Sequence, residues 1–212
     1  MLTINQKMPE FTKLSNISVN TSIEESFPTV EYKNPENGQT ELLVQIGDKT
    51  ITHAKGEWLV IFGYPKDFTF VCPTEIKAFG DLNEDFNDRD AQVIGFSTDN
   101  EFVHRAWRMD NEDIRDVPFP LVADTNGSLA KSLGIYNEEE GIAERGTFII
   151  DPNGVIQAYE ITSEGIGRDA QDLLRKVKAA QYVYANPDEV CPAKWQEGED
   201  TLTPSLDLSG KI

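Results

Sequence analysis

Two cysteines, Cys72 and Cys191, and two histidines, His53 and His104, are all that 212 residues provide of the soft ligands. Scattered as they are, they argue against a structural zinc centre. In a reducing cytosol so small a number also argues against a permanent disulfide, and any bridge between the two would be transient and catalytic. No run of about 18 apolar residues occurs, and Met1-Leu2-Thr3-Ile4-Asn5-Gln6-Lys7 has no basic stretch leading into an apolar core. A cytoplasmic protein with no membrane partner is expected. Positive charge is scarce: 19 Lys and Arg stand against 37 Asp and Glu, a formal charge of −18. Without a basic cluster, nucleic acid and anionic lipid are poor partners, and the acidic excess reads as a solvated surface. Gly141 and Gly146 flank no G-x-G-x-x-G, and Gly165-Ile166-Gly167 lacks the further glycine such a motif needs, so no nucleotide site is expected. Internal repeats and low-complexity segments are absent as well. A chain of this length buries roughly 70% of its unfolded surface and needs no staples.

What is present alternates between strand and helix signals. Residues 1–55 read as an N-terminal hairpin with a surface insertion, from turn chemistry at 34–38 and β-prone runs at 42–44 and 50–52. The apolar run Trp58-Leu59-Val60-Ile61-Phe62 predicts a buried strand. An amphipathic helix from Pro73 follows, with Ile76, Phe79, Leu82 and Phe86 on one side, and 91–97 is a second buried strand. Strand, helix and strand at these lengths make a right-handed parallel unit. A helix over 100–109 behind a Thr98-Asp99 cap, a strand near 121–122 and a helix over 128–133 come next. Strands at 146–150 and 155–160 around Asp151-Pro152-Asn153-Gly154 form a tight hairpin. A last helix, about 168–184, buries Ala170, Leu173, Leu174 and Val177. Residues 1–185 are thus expected to form one α/β domain with a mixed central sheet flanked by helices. Residues 186–212 form a polar tail with apolar anchors at Trp195, Leu202, Leu206 and Leu208.

Cys72 falls in the turn between the first buried strand and its helix. With Pro73 as the first helical residue, Cys72 is the expected N-cap, where unpaired N–H groups and the positive end of the helix dipole favour thiolate over thiol. A mixed sheet with a reactive cysteine at such a turn suggests the thioredoxin-like fold. The usual Cys-x-x-Cys is missing, because Glu75 stands at its second position, so a resolving thiol has to come from Cys191 in the tail.

Pro65, Thr69 and Cys72, as Pro-x-x-x-Thr-x-x-Cys, resemble the signature of the peroxiredoxins. Residues 140–151 (Glu-Gly-Ile-Ala-Glu-Arg-Gly-Thr-Phe-Ile-Ile-Asp) and the tail around Glu189-Val190-Cys191-Pro192-Ala193-Lys194-Trp195 are similar to those of the same family's alkyl hydroperoxide reductase branch. The resemblance covers residues 56–212 well and the first 55 poorly. It implies a typical two-cysteine thiol peroxidase that reduces hydrogen peroxide and organic hydroperoxides in antioxidant defence, with no bound cofactor. Electrons would come from an external flavoprotein disulfide reductase or a thioredoxin-like donor. Cys72 would be the peroxidatic thiol, and Thr69, Arg145 and the helix-start N–H groups would bind the peroxide oxygens. Pro65 would shield the sulfur, Glu75 and Arg168 would orient Arg145, and Tyr64 is a further candidate to support the site. Spacing leaves open whether the Cys72–Cys191 bridge lies within or between chains; the resemblance implies between chains, in an antiparallel homodimer that assembles into a decamer.

Plainer alternatives exist for several residues. Thr69 could only cap a turn, Arg145 could pair with Glu140 or Glu144 on the surface, Glu75 could be a capping-box partner, and Arg168 could simply start the last helix. Three departures from the family pattern stand out. Easily over-oxidised members carry a Gly-Gly-Leu-Gly loop and a C-terminal Tyr-Phe helix, neither of which is present, so sulfinic acid is expected to accumulate slowly. The N-terminal insertion is unusual, and Gly63 stands where an aromatic is common. Two rival functions remain. A protein disulfide oxidoreductase is disfavoured by the missing Cys-x-x-Cys, and a redox-gated chaperone or sensor would not need turnover.

Overall fold

The computed structural model describes residues 29–33, 40–46, 49–54 and 57–208. Strands β1 (Thr29–Lys33), β2 (Thr40–Ile46) and β3 (Lys49–Ala54) form an antiparallel sheet in that order. The runs expected at 42–44 and 50–52 lie within β2 and β3, and β1 makes the predicted hairpin a three-stranded meander. Its signal was the alternation of Val30 and Tyr32 with polar neighbours. The expected turn at 34–38 and residues 1–28 lie outside the described residues.

The chain continues through β4 (Trp58–Gly63), α1 (Cys72–Asp81), α2 (Asn83–Asn87), β5 (Ala91–Ser97) and α3 (Glu101–Asp110). Then come β6 (Leu121–Ala123), α4 (Ser128–Ser132), the short pair β7 (Tyr136–Asn137) and β8 (Ile142–Ala143), β9 (Arg145–Ile150) and β10 (Ile156–Thr162). Five of these strands make one sheet in the order β10-β9-β4-β5-β6. β4, β5 and β6 run parallel, whereas β9 is antiparallel to both β4 and β10. The expected mixed sheet is therefore present.

β4 is central and buried along its whole length, which is why its sequence is continuously apolar rather than alternating. Leu59 and Ile61 point into a cluster with Ile94, Phe96, Phe148 and Ile150 from the neighbouring strands and Leu129 and Leu133 from the α4 region. Phe62 lies on the opposite face by the two-residue period and stacks on Phe79 of α1 at 4.4 Å between centroids. Truncating such a ring to alanine costs about 3–5 kcal/mol. This packing fixes α1, and with it Cys72, at the carboxyl end of the parallel strands, the end where open α/β sheets hold their sites.

Several boundaries differ from expectation. The helix predicted through Phe86 breaks at Leu82, whose backbone (φ −102°, ψ 6°) leaves the helical region and divides α1 from α2. α3 is capped by Asn100, whose Oδ1 accepts from the N–H groups of Phe102 and Val103, rather than by Thr98-Asp99. The Asp99 carboxylate instead accepts from Ser97 Oγ and the Asp67 N–H. In the β9–β10 hairpin, Asp151 Oδ1 accepts from Asn153 and Val155, and Gly154 supplies the left-handed residue (φ 79°).

The chain divides into two compact units between Asp169 and Ala170. In the second, α5 (Ala170–Ala185) buries Ala170, Leu173, Leu174 and Val177, as the spacing predicted, and starts two residues later than expected. Beyond it Val190 and Leu202 form an antiparallel bridge, and Trp195 is buried with its ring 5.1 Å from that of Tyr182. Leu206 is 94% exposed, so it does not anchor the tail. Among the described residues no helix is long and apolar enough to cross a membrane.

Candidate active site

Cys72 is the first residue of α1, not its N-cap. Val71 already has helical angles, and its carbonyl accepts from the N–H groups of Thr74 and Glu75. Pro73 therefore sits at the second helical position, which tolerates proline equally because that N–H has no partner inside the helix either. Cys72 still lies in the first turn, at the positive end of the helix dipole. Its side chain is fully buried.

The group facing the sulfur is Arg145, the first residue of β9. Its Nη1 donates to Cys72 Sγ at 3.4 Å and to Glu75 Oε2 at 2.5 Å, and its Nε donates to the Glu164 carbonyl at 2.7 Å. Glu75 lies one turn along α1 from the cysteine and also serves Arg168. Arg168 donates to Glu75 Oε1 through its backbone N–H (2.9 Å) and Nε (3.0 Å), and to Oε2 through Nη2 (2.9 Å). Arg168 Nη1 reaches the carbonyls of Gly63 and Gly146 at 2.7 and 3.2 Å, and its guanidinium lies 4.9 Å from the Phe62 ring centroid. Burial lowers the Arg168 pKa, and the Glu75 carboxylate opposes that shift.

One carboxylate thus stands between two buried guanidinium groups, leaving an excess positive charge directed at the sulfur. Arg145 Nη1 is the donor that this excess charge places against Sγ. The plainer alternatives fail here: Arg145 is not a surface partner of Glu140 or Glu144, Glu75 caps nothing, and Arg168 precedes the helix as a buried strut.

Pro65 is buried at the end of β4. Thr69 is partly exposed, and its Oγ1 donates to the Lys66 carbonyl at 2.8 Å, so the turn-capping alternative is realised. With its proton committed there, the hydroxyl oxygen keeps lone pairs to accept a further bond. Tyr64 is fully buried and lies behind the loop rather than against Arg145. It donates to Asp67 Oδ1 at 2.9 Å, while His104 Nδ1 lies 2.7 Å from Asp67 Oδ2. Burial first, and Asp67 second, push the Tyr64 phenol well above its ordinary pKa. Asp67 was not singled out from sequence; its only signal was an acidic residue in a short loop that also holds Phe68, Phe70 and Val71. Gly63 also has a local explanation, since an added Cβ would lie 2.7 Å from Ile135 and 2.9 Å from Phe96.

Cys191 lies in the second unit, partly buried, with Sγ 3.8 Å from the Ala179 carbonyl. Burial pushes its thiol pKa up, and Glu189 adds to the shift. Both cysteines are free thiols.

A thioredoxin-like sheet that presents a helix-initial cysteine to a buried guanidinium, with no second cysteine three positions on, defines a class of thiol peroxidase. The comparisons with known proteins agree. Residues 23–159 match the AhpC/TSA family, and residues 179–211 match the C-terminal domain of 1-Cys peroxiredoxin. Alkyl hydroperoxide reductase C of Salmonella typhimurium is 48% identical over 194 residues, 92% of this chain and 98% of that one. Its Bacillus subtilis counterpart is 50% identical over 165 residues, 78% and 88% of the two chains. Among solved structures, Enterococcus faecalis AhpC has a TM-score of 0.67 at 33% identity, covering 83% of this chain and 99% of that one. A reduced 2-Cys peroxiredoxin of Plasmodium vivax has a TM-score of 0.69 at 27% identity, covering 85% and 91%. The chain belongs to the AhpC/TSA family: it is a peroxiredoxin of the alkyl hydroperoxide reductase C type, a hydroperoxide-reducing thiol peroxidase.

Proposed function

We propose that this peroxidase runs a two-cysteine cycle on hydrogen peroxide and alkyl hydroperoxides. The observation that carries it is the Arg145 N–H aimed at Cys72 Sγ from a guanidinium held by Glu75. Cys72 thiolate attacks the terminal peroxide oxygen. The O–O bond breaks, the sulfur is oxidised to sulfenic acid, and the leaving oxygen departs as water or an alcohol after taking a proton. Thr69 Oγ1 accepts a hydrogen bond from the hydroperoxide O–H, Arg145 and the α1 N–H groups stabilise the charge that develops on oxygen, and Pro65 excludes water from the sulfur. Arg168 fixes Glu75, Glu75 fixes Arg145, and Tyr64 fixes the loop through Asp67.

Cys191 thiol then condenses with the sulfenic acid, forming the S–S bond and releasing water. Residues 1–185 act as the peroxidase domain and 186–212 as the arm that carries the second thiol. An external dithiol, from a flavoprotein disulfide reductase or a thioredoxin-like donor, reduces the bridge by exchange, so no bound cofactor enters the cycle.

The bridge forms between chains of a homodimer, which assembles further into a decamer in the cytoplasm. Two surfaces support assembly. The outer edge of β10 pairs with no strand among the described residues, and Phe68, Phe70 and Phe102 are exposed.

Fully reduced protein mixed with one equivalent of hydrogen peroxide tests the cycle on a non-reducing gel. Wild type gives a covalent dimer within seconds, and Cys72→Ser and Cys191→Ser give none. Loss of no thiol and absence of dimer in wild type would return Cys72 to a structural role. Continuous peroxide consumption with a dithiol donor separates this reading from a sensor, which needs only one oxidation.

A further inference from the structure

We infer that Glu189 is a positioning residue that brakes the resolving step, by latching the Cys191 segment to its own unit through Tyr182 and Thr201. The inference rests on the two-cysteine cycle proposed above. Tyr182, on α5, donates its hydroxyl to Glu189 Oε2 at 2.6 Å, and Thr201 Oγ1 donates to the same oxygen. One residue on, Val190 and Leu202 exchange backbone hydrogen bonds of 2.9 and 3.0 Å. The short loop between them is closed by Trp195, whose Nε1 donates to the Glu199 carbonyl at 3.0 Å while its ring lies against Tyr182. Cys191 follows directly on this clasp, with its sulfur turned to the carbonyl of Ala179 on the same helix.

A disulfide requires the second sulfur at about 2.05 Å and the two Cα atoms within about 7 Å. A thiol facing a carbonyl of α5 has to leave that position before it can react, and the bonds that hold Glu189 have to break as it leaves. Charge acts in the same direction. The Glu189 carboxylate sits two residues from a thiol already disfavoured as an anion by burial, so it lowers the thiolate fraction available for attack. While the arm is held, the Cys72 sulfenic acid is exposed to a second hydroperoxide. That reaction transfers one more oxygen to the sulfur, gives sulfinic acid and releases water or an alcohol. The latch therefore sets the partition between turnover and inactivation.

The test mixes reduced wild type, Tyr182→Phe, Glu189→Gln and Glu189→Ala with one equivalent of hydrogen peroxide in quenched flow, and reads sulfenic acid and Cys72–Cys191 disulfide by mass spectrometry. Sulfenic acid forms at the wild-type rate in all four, which a generally damaged fold would not allow. Disulfide forms about fivefold faster in Tyr182→Phe, the value of one partly exposed hydrogen bond, and more than about tenfold faster in Glu189→Ala. Glu189→Gln falls between wild type and Glu189→Ala, because it keeps an acceptor oxygen and loses the charge. At high peroxide the same variants accumulate less sulfinic acid. Disulfide formation in Glu189→Ala that is unchanged or slower overturns the latch. If wild type itself makes no Cys72–Cys191 disulfide, the two-cysteine cycle fails, and the latch fails with it.

Discussion

Replacing Glu75 by glutamine tests the charge balance at the centre of the site. The side chain keeps its shape, but the carboxylate shared by Arg145 Nη1 and Arg168 Nη2 becomes a neutral amide with its own N–H groups facing donors. The two guanidinium groups are 3% and 1% exposed, so water cannot replace what is lost. Removing one member of a buried ion pair costs about 3–5 kcal/mol. At about 2–4 °C per kcal/mol for a chain of this size, the lower bound lowers Tm by roughly 6–12 °C. Activity falls through a different route. Arg145 keeps its bond to the Glu164 carbonyl and loses its second tether, so its Nη1 no longer has a fixed position over Cys72. A misplacement of about 1 Å costs on the order of 10²-fold in rate. Denaturant unfolding of the reduced protein measures the first effect, and stopped-flow oxidation of Cys72 by hydrogen peroxide measures the second. Glu75→Asp, which retains the charge, recovers part of both. A Glu75→Gln protein within about 1 kcal/mol of wild type, with its second-order rate within threefold, would refute the reasoning.

Three other outcomes are expected. Thr69→Val slows peroxide reduction about 10²-fold, the scale of one lost hydrogen-bonding group at a reacting oxygen, while stability changes by less than about 1 kcal/mol because the bond to Lys66 is on the surface; an unchanged rate would leave Thr69 only its turn. Since the folded Tyr64 phenol titrates above the unfolded value of 10.0, its contribution to stability is whole below that pH and declines as pH rises beyond it. Tyr64→Phe removes that part of the decline, seen as a flatter plot of unfolding free energy against pH; equal slopes would contradict it. With no Gly-Gly-Leu-Gly loop in the sequence, repeated turnover at millimolar peroxide leaves Cys72 mostly free of sulfinic acid by mass spectrometry; rapid inactivation with a sulfinic Cys72 would sink this.

The sequence by itself determined the elements that rest on local periodicity and turn chemistry. Continuous apolar runs mark β4 and β5, Asp-Pro-Asn-Gly marks the β9–β10 hairpin, and the spacing of Ala170, Leu173, Leu174 and Val177 marks the buried face of α5. Cys72 was singled out by its place at a strand-to-helix turn, and Thr69 and Arg145 by the motifs that resemble the peroxiredoxins.

Boundaries that depend on a single backbone conformation were misread. Val71 and Leu82 have no side-chain feature that announces a helix start or break, and Asn100 competes with Thr98 and Asp99 for one cap. Only the tertiary structure decided which oppositely charged groups meet. Glu75, Arg145 and Arg168 lie far apart in the chain, and each had a local partner or capping role open to it. Burial removes those options, because a carboxylate and two guanidinium groups taken out of water must find one another. The same holds for Asp67 with Tyr64 and His104. Pairings across the fold follow from how strands and helices pack, and a linear pattern of residue types does not encode them.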